Sequence, residues 1–374
     1  MRILYVNNAG QVQLLTEMPL GWDKASLTST ELLWIDLNHV ESEEKTEQFL
    51  TQHFGFHPLA IDDALNETHL PKVDDWETYL YIALQDIAAE ANLQTIALPE
   101  LDLFLGKQFL VTYHMEEVTA VDRVWQLCQR HQRWLQHGAD HLVYRIIDEI
   151  VNNYTAVTEQ LEAHIVQLEG QIFSHPSAHL LESLAHYKRL VLQIRRTLVP
   201  QREVVNKLAR DTFAVIGQKD QVYFRDVYDH MVRLYNQSDS VRDLLTGTME
   251  LNLSVMNNRM NDVMKTLTII TTLFMPLTFI TGFFGMNFFE ATLPLRAWTG
   301  TGMLAFTLTG MIVLPLGMFY WMRQPGCERL QEPRMTRIFT DSFENKQAKK
   351  MSFVTGEERP FSPILCLGAN DKML

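Results

Sequence analysis

Residues 267–288 read LTIITTLFMPLTFITGFFGMNF, and no charged side chain interrupts them. The charge-free run is longer still, bounded by Lys265 and Glu290, and a second lies between Arg296 and Arg323. Crossing a hydrocarbon core takes about 20 apolar helical residues. Each run meets that length, so two membrane spans are expected. The alternative is a buried helical hairpin of a soluble protein, but core helices are usually shorter and broken by charge.

Upstream of the first run, helical spacing extends back to Tyr223. From Tyr223 to Met286 the only proline is Pro276, and the only glycines are Gly247, Gly282 and Gly285. Some sixty residues at 1.5 Å each predict a helix about 90–100 Å long. It would start in water and finish in the bilayer. A helix of that length needs lateral support, so a bundle of identical stalks is expected.

Residues 1–120 alternate short apolar runs with helix-like pieces. MRILYV, LLWIDL, YLYIALQDI and FLVTYH predict strands. ESEEKTEQFLTQHFG predicts a helix with an acidic first turn and a glycine at its end. This is the expected cytoplasmic α/β domain. Residues 121–218 predict a pair of long helices, broken at His175-Pro176. The expected divisions beyond are a stalk and first span at 219–287, an external loop at 288–297, a second span at 298–322, and a basic flank with a flexible tail at 323–374. Basic residues flank the spans at Arg259 and Lys265 and again from Arg323 onward. By the positive-inside rule, both flanks and both termini are cytoplasmic. The N-terminus, MRILYVNNAG, lacks the apolar segment and cleavage site of a signal peptide.

The chain has 374 residues and a net charge of −13. That balance argues against nucleic acid as a partner, because such binding rests on Lys and Arg neutralising phosphates. It is compatible with cations or with ordinary solubility. Cys128, Cys327 and Cys366 are too scattered for a disulfide framework or a zinc site. There is no GxxxxGK[ST] loop, HExxH or nucleophile elbow, so neither an enzyme nor an organic cofactor is expected.

The first span is unusually polar along one stripe. Steps of three or four residues connect Asn261, Met264, Leu267, Thr271, Met275, Thr278, Gly282 and Gly285. Two readings stay open from the residues alone. Small and hydroxyl residues are common where membrane helices pack together. The same stripe could also line a pore. Mg²⁺ dehydrates reluctantly, so neutral oxygens such as those of Asn287 would hold the hydrated ion weakly enough to release it. Met264 and Leu267 would form a dry constriction. A potential of about 100 mV would drive a divalent ion with about 4–5 kcal/mol.

The segment Phe284-Gly285-Met286-Asn287-Phe288 resembles the YGMNF signature of CorA-type magnesium transporters, with Phe in place of Tyr. Residues 267–288 are similar to that family's first membrane helix throughout. YFRDVYDH (223–230), HPLAIDDALN (57–66) and PKVDD (71–75) resemble its cytoplasmic segments. The resemblance covers about residues 30 to 323.

It implies an α+β membrane protein whose α/β domain and stalk form a funnel-shaped homopentamer in the cell (inner) membrane. Gly285, Met286 and Asn287 would be the selectivity element at the pore mouth. Asn261, Met264, Leu267, Met275 and Thr278 match pore-facing positions. Asp226 would bind regulatory Mg²⁺ between subunits, with Glu90 as its partner acid and Asp86 in reserve. Mg²⁺ would thus be both transported and regulatory, with Co²⁺ or Ni²⁺ as further cargo. The alternatives are a zinc transporter of the same superfamily and a non-conducting membrane cation sensor. Where the family often carries MPE after GMNF, this chain has FEATLPLRAW, whose only acid is Glu290. The chain also runs about fifty residues past the second span, further than many members.

Overall fold

The computed structural model describes residues 1–18, 27, 31–38, 42–66, 70–90, 93–172, 178–286 and 301–322. The β-branched and aromatic runs of the N-terminal part form β1 (Arg2–Val6), β2 (Val12–Leu15), β3 (Leu32–Asn38), β4 (Lys72–Asp75) and β5 (Leu80–Gln85). A short pair, β6 (Ala88–Ala89) and β7 (Ile96–Ala97), precedes β8 (Glu100–Leu105) and β9 (Phe109–His114). Seven strands join in the order β2-β1-β3-β9-β8-β5-β4. β3 and β9 run parallel, with Trp34 opposite Leu110, and the other neighbours are antiparallel.

The central strands are apolar at nearly every position because both faces of the sheet are covered. On one face, Leu4, Trp34, Ile82 and Leu103 share a core with helical residues Val121, Trp125, Val143 and Ile146. Trp34 and Trp125 meet edge to face at 4.8 Å. On the other face, Ile35, Tyr81, Phe104 and Val111 pack with Phe54, Phe56 and Ile61. Phe56 stacks on Phe104 at 4.4 Å between centroids.

The second face is covered by α1 (Glu43–Phe49), which continues as a wider helical turn to Phe54, and by α2 (Pro58–Leu65). Ser42 caps α1 by accepting the Lys45 N–H. Gly55 ends the turn at φ 62°, a left-handed backbone that glycine adopts without penalty. Pro58 opens α2, where its missing N–H is no loss.

β8 is absent from the sequence expectation because Glu100 and Asp102 interrupt its apolar pattern. Both are buried. Asp102 is held by the Tyr81 hydroxyl at 2.6 Å, which offsets the cost of burial.

The helical part comprises α3 (Thr119–Arg130), α4 (Ala139–Ile172), α5 (Ala178–Arg210), α6 (Gln221–Gly285) and α7 (Thr301–Met322). Val143, Ile146, Ile150, Val157, Leu161 and Ile165 bury the inner face of α4. The early part of α6 buries Phe224, Val227, Met231, Leu234, Val241 and Leu245 at helical steps. Arg195 of α5 pairs with Asp239 of α6 and lies over the Tyr235 ring at 5.3 Å. The α/β part and the long helices up to Met249 share one core, and the described residues up to Arg259 form one compact unit while those from Met260 onward form a second.

Candidate cation pathway and regulatory site

The 65 residues of α6 form one helix, about 97 Å long at 1.5 Å per residue. Among the described residues it is the one helix that meets both the length and the apolarity needed to cross a membrane. α7 adds 22 residues without a charged side chain, of which 305–321 form a shorter apolar helix.

From residue 260 onward the apolar side chains of α6 face outward. Met264, Leu267, Phe274, Met275 and Phe279 are all more than half exposed. One side alone is partly covered, at Ile269, Thr272, Leu273, Pro276, Leu277 and Ile280. At 100° per residue, that side lies opposite the stripe running from Met264 through Leu267, Thr271, Met275 and Thr278 to Gly282. Asn261 and Gly285 flank the stripe, and all eight positions are exposed.

The hydroxyls on this helix have a common orientation. Thr271 donates to the Leu267 carbonyl at 2.8 Å, and Thr278 donates to the Phe274 carbonyl at 3.0 Å. Thr266, Thr268 and Thr281 bond back in the same way. Each proton is thereby committed inside the helix, and the remaining lone pairs can accept from outside. Pro276 has no N–H, so the Thr272 carbonyl loses its helical partner.

Gly285 closes the helix and Met286 follows it, exposed. Asn287 and Glu290 lie outside the described residues, as do the loop at 288–297 and the segment at 323–374.

Asp226 sits on the first turns of α6 with its side chain 61% exposed. His230, one turn on, lies 3.9 Å from it and 3.8 Å from Asp148 of α4. Glu90 is exposed in the turn between β6 and β7, where its carbonyl accepts the Leu93 N–H. Among the described residues, no group of three or more His, Cys, Asp or Glu side chains gathers within the chain to hold a metal. A site shared between subunits would be incomplete in one chain.

The reserve acid, Asp86, is corrected by the fold: it is buried. It accepts from the Ile87 and Ala120 N–H groups, the Thr119 hydroxyl and the Asn153 amide. Burial pushes its carboxyl pKa up, and these donors only partly oppose that. Its work is to cap α3, a role that chain proximity cannot reveal because Asp86 is over thirty residues away.

A folded α/β and helical body joined through one long helix to an exposed apolar end is the build of a membrane-inserted protein. The sequence model of the family described as CorA-like Mg²⁺ transporter protein matches residues 29–324. The chain belongs to that family, and it is a divalent-cation transporter of the CorA type.

It is 31% identical over 289 residues to the cobalt/magnesium transport protein CorA of Thermotoga maritima, covering 77% of this chain and 81% of the relative. It is 23% identical over 304 residues to the zinc transport protein ZntB of Yersinia pseudotuberculosis, covering 80% and 89%. In fold it resembles the CorA magnesium transporter of Methanocaldococcus jannaschii, with a TM-score of 0.74, 24% identity, and coverage of 87% of this chain and 98% of the other.

Proposed function

We propose that this chain assembles as a homopentamer and moves Mg²⁺ into the cytosol through a central pore lined by α6, with Co²⁺ or Ni²⁺ as further cargo. The observation that carries this reading is the exposed stripe Met264–Leu267–Thr271–Met275–Thr278. It faces away from the one partly covered side of the helix and stays in register over about four turns. Apolar and hydroxyl groups in that order give a dry constriction followed by neutral oxygen donors. A hydrated Mg²⁺ needs acceptors for the protons of its water shell, not carboxylates that would hold it too tightly.

In this reading the Gly285-Met286-Asn287 triplet forms the outer mouth, and Asn287 offers its amide oxygen to the hydrated ion. Glu290 lies in the external loop and contributes charge there. α6 and α7 are the two spans, with both termini in the cytoplasm of an inner-membrane protein. Asp226 and Glu90 bridge a regulatory Mg²⁺ between neighbouring subunits. When cytosolic Mg²⁺ falls, the carboxylates repel and the closed packing loses its support, because an ion biases gating only through its differential affinity for the two states.

The test is potential-driven Mg²⁺ uptake into proteoliposomes holding an internal Mg²⁺-sensitive dye. Wild type and Asn287→Ala are compared, with a parallel Zn²⁺ assay. Mg²⁺ entry that disappears in the variant is expected. Zn²⁺ movement without Mg²⁺ entry would transfer the chain to the zinc-transporting branch that its likeness to ZntB also allows. Silence for both ions in assembled protein would leave a cation sensor.

A further inference from the structure

The turn that carries Glu90 is strained in its backbone and fastened from far along the chain. Leu93 takes φ 50°, in the left-handed region that a residue with a side chain rarely enters. Such a conformation persists where its surroundings over-determine it. The Leu93 side chain is fully buried, in the core that also holds Ile87, Ile96 and, from α5, Leu190 and Ile194. Its carbonyl lies 3.1 Å from Nε2 of His186 on α5. A carbonyl only accepts, so the imidazole Nε2 carries the proton and donates. His186 stands one helical turn before Leu190, on the side of α5 that meets this core. Glu90 is tied to the same turn by both of its backbone groups. Its carbonyl accepts the Leu93 N–H at 2.9 Å, and its N–H donates to the Thr95 carbonyl at 3.3 Å. Its side chain is exposed.

We infer that His186 is a positioning residue of the regulatory site, holding the Glu90 turn in place so that its carboxylate meets Mg²⁺ already ordered. The inference rests on the reading of Glu90 as a regulatory acid. A carboxylate on a loose turn loses conformational freedom when it binds, and that loss weakens its hold on the ion. A turn fixed beforehand avoids the loss, as supporting hydrogen bonds do for metal ligands in general. Burial fixes the Leu93 side chain, whereas His186 fixes the direction of the Leu93 carbonyl and with it the bond from Leu93 to Glu90. α5 also grips α6, because Arg195 pairs with Asp239 and lies over Tyr235. The helix that fastens the Glu90 turn therefore braces the helix that carries Asp226 in the same chain.

The test uses the full-length protein, with His186→Ala, His186→Gln, Glu90→Gln and the double variant of His186→Ala with Glu90→Gln beside wild type. Gln keeps an N–H near the place of Nε2, whereas Ala leaves the Leu93 carbonyl without a donor. In Mg²⁺-free protein, hydrogen exchange at the Leu93 amide should quicken about tenfold in His186→Ala and stay within about twofold in His186→Gln. In proteoliposomes, the cytoplasmic Mg²⁺ concentration that halves transport should rise about three- to tenfold in His186→Ala, the scale of one hydrogen bond. Transport without cytoplasmic Mg²⁺ should match wild type, and His186→Gln should restore the set-point. Glu90→Gln should raise the set-point as well, and adding His186→Ala should move it no further, since both act through one carboxylate. A wild-type set-point or wild-type exchange in His186→Ala would overturn the assignment. So would a further shift in the double variant, a Gln variant as defective as Ala, or transport lost even without Mg²⁺. Normal closure in Glu90→Gln would instead remove Glu90 from the regulatory site, and the role of His186 with it.

Discussion

At the residue scale, a buried charge network ties the N-terminus into the sheet. Asp36 and His114 are almost fully buried, 3.3 Å apart. Arg2 donates to Asp36 at 2.7 Å and to Asp122 of α3 at 2.5 Å, and lies over Trp125. Burial alone would raise the Asp36 pKa, but His114, Arg2 and Thr112 together hold it below the usual carboxylate value. Burial would lower the His114 pKa, but its contact with Asp36 raises it above the usual imidazole value.

The signs follow from linkage. The His114 contribution is complete below the ordinary histidine pKa and is lost as pH rises through the raised one. The Asp36 contribution is present above the ordinary aspartate pKa and is lost as pH falls through the lowered one. His114→Gln should therefore lower the Tm of the detergent-solubilised protein most near pH 6 and progressively less towards about pH 9. A Tm deficit that stays constant across that range would show that the imidazolium plays no part. Asp226 supplies a functional counterpart. Asp226→Lys should weaken Mg²⁺-dependent closure, and transport that still shuts off at the wild-type Mg²⁺ concentration would remove it from the regulatory site.

At the element scale, α6 combines two kinds of helix. Its first part is amphipathic, with one buried side, while its last part is apolar and mostly exposed. Gly247 stands in the interior of this helix with nothing within 4 Å of where a Cβ would be. Gly247→Ala should stabilise the protein by about 0.5–1 kcal/mol through helix propensity, seen as a rise in Tm. An unchanged or lowered Tm would mean that another copy occupies the space beside it. Leu161 of α4 is fully buried. Leu161→Ala should cost about 2–5 kcal/mol in chemical denaturation, the range for emptying a core site. Pro200 lies inside α5 without ending it. The helix tolerates the lost hydrogen bond because its neighbours Leu198, Gln201 and Val204 are buried against the rest of the unit.

At the scale of the whole molecule, the division at residue 259 separates a body with its own core from an end whose apolar side chains, among the described residues, are mostly exposed. Exposed apolar surface on this scale marks a membrane or a partner interface. A chain ending at Arg259 should remain folded and soluble without detergent, with circular dichroism retaining its helices. The full chain should need detergent or lipid. Aggregation of the shortened chain under conditions where the full protein is well behaved would show that the second unit supports the first.

The sequence by itself determined the helices, the apolar ends and the family. Periodicity and charge-free length are local properties, read from residue order without knowing which segments touch. The GMNF segment and its upstream helix carried the membership because a run of side chains on one helix is read directly from residue order. Tertiary structure alone decided the sheet order, the strand β8 with its buried Glu100 and Asp102, the single core shared by the α/β part and the long helices, and the burial of Asp86. These depend on contacts between residues far apart in the chain. A buried carboxylate such as Asp86 looks like a surface acid until its donors, contributed by two helices elsewhere, are brought around it.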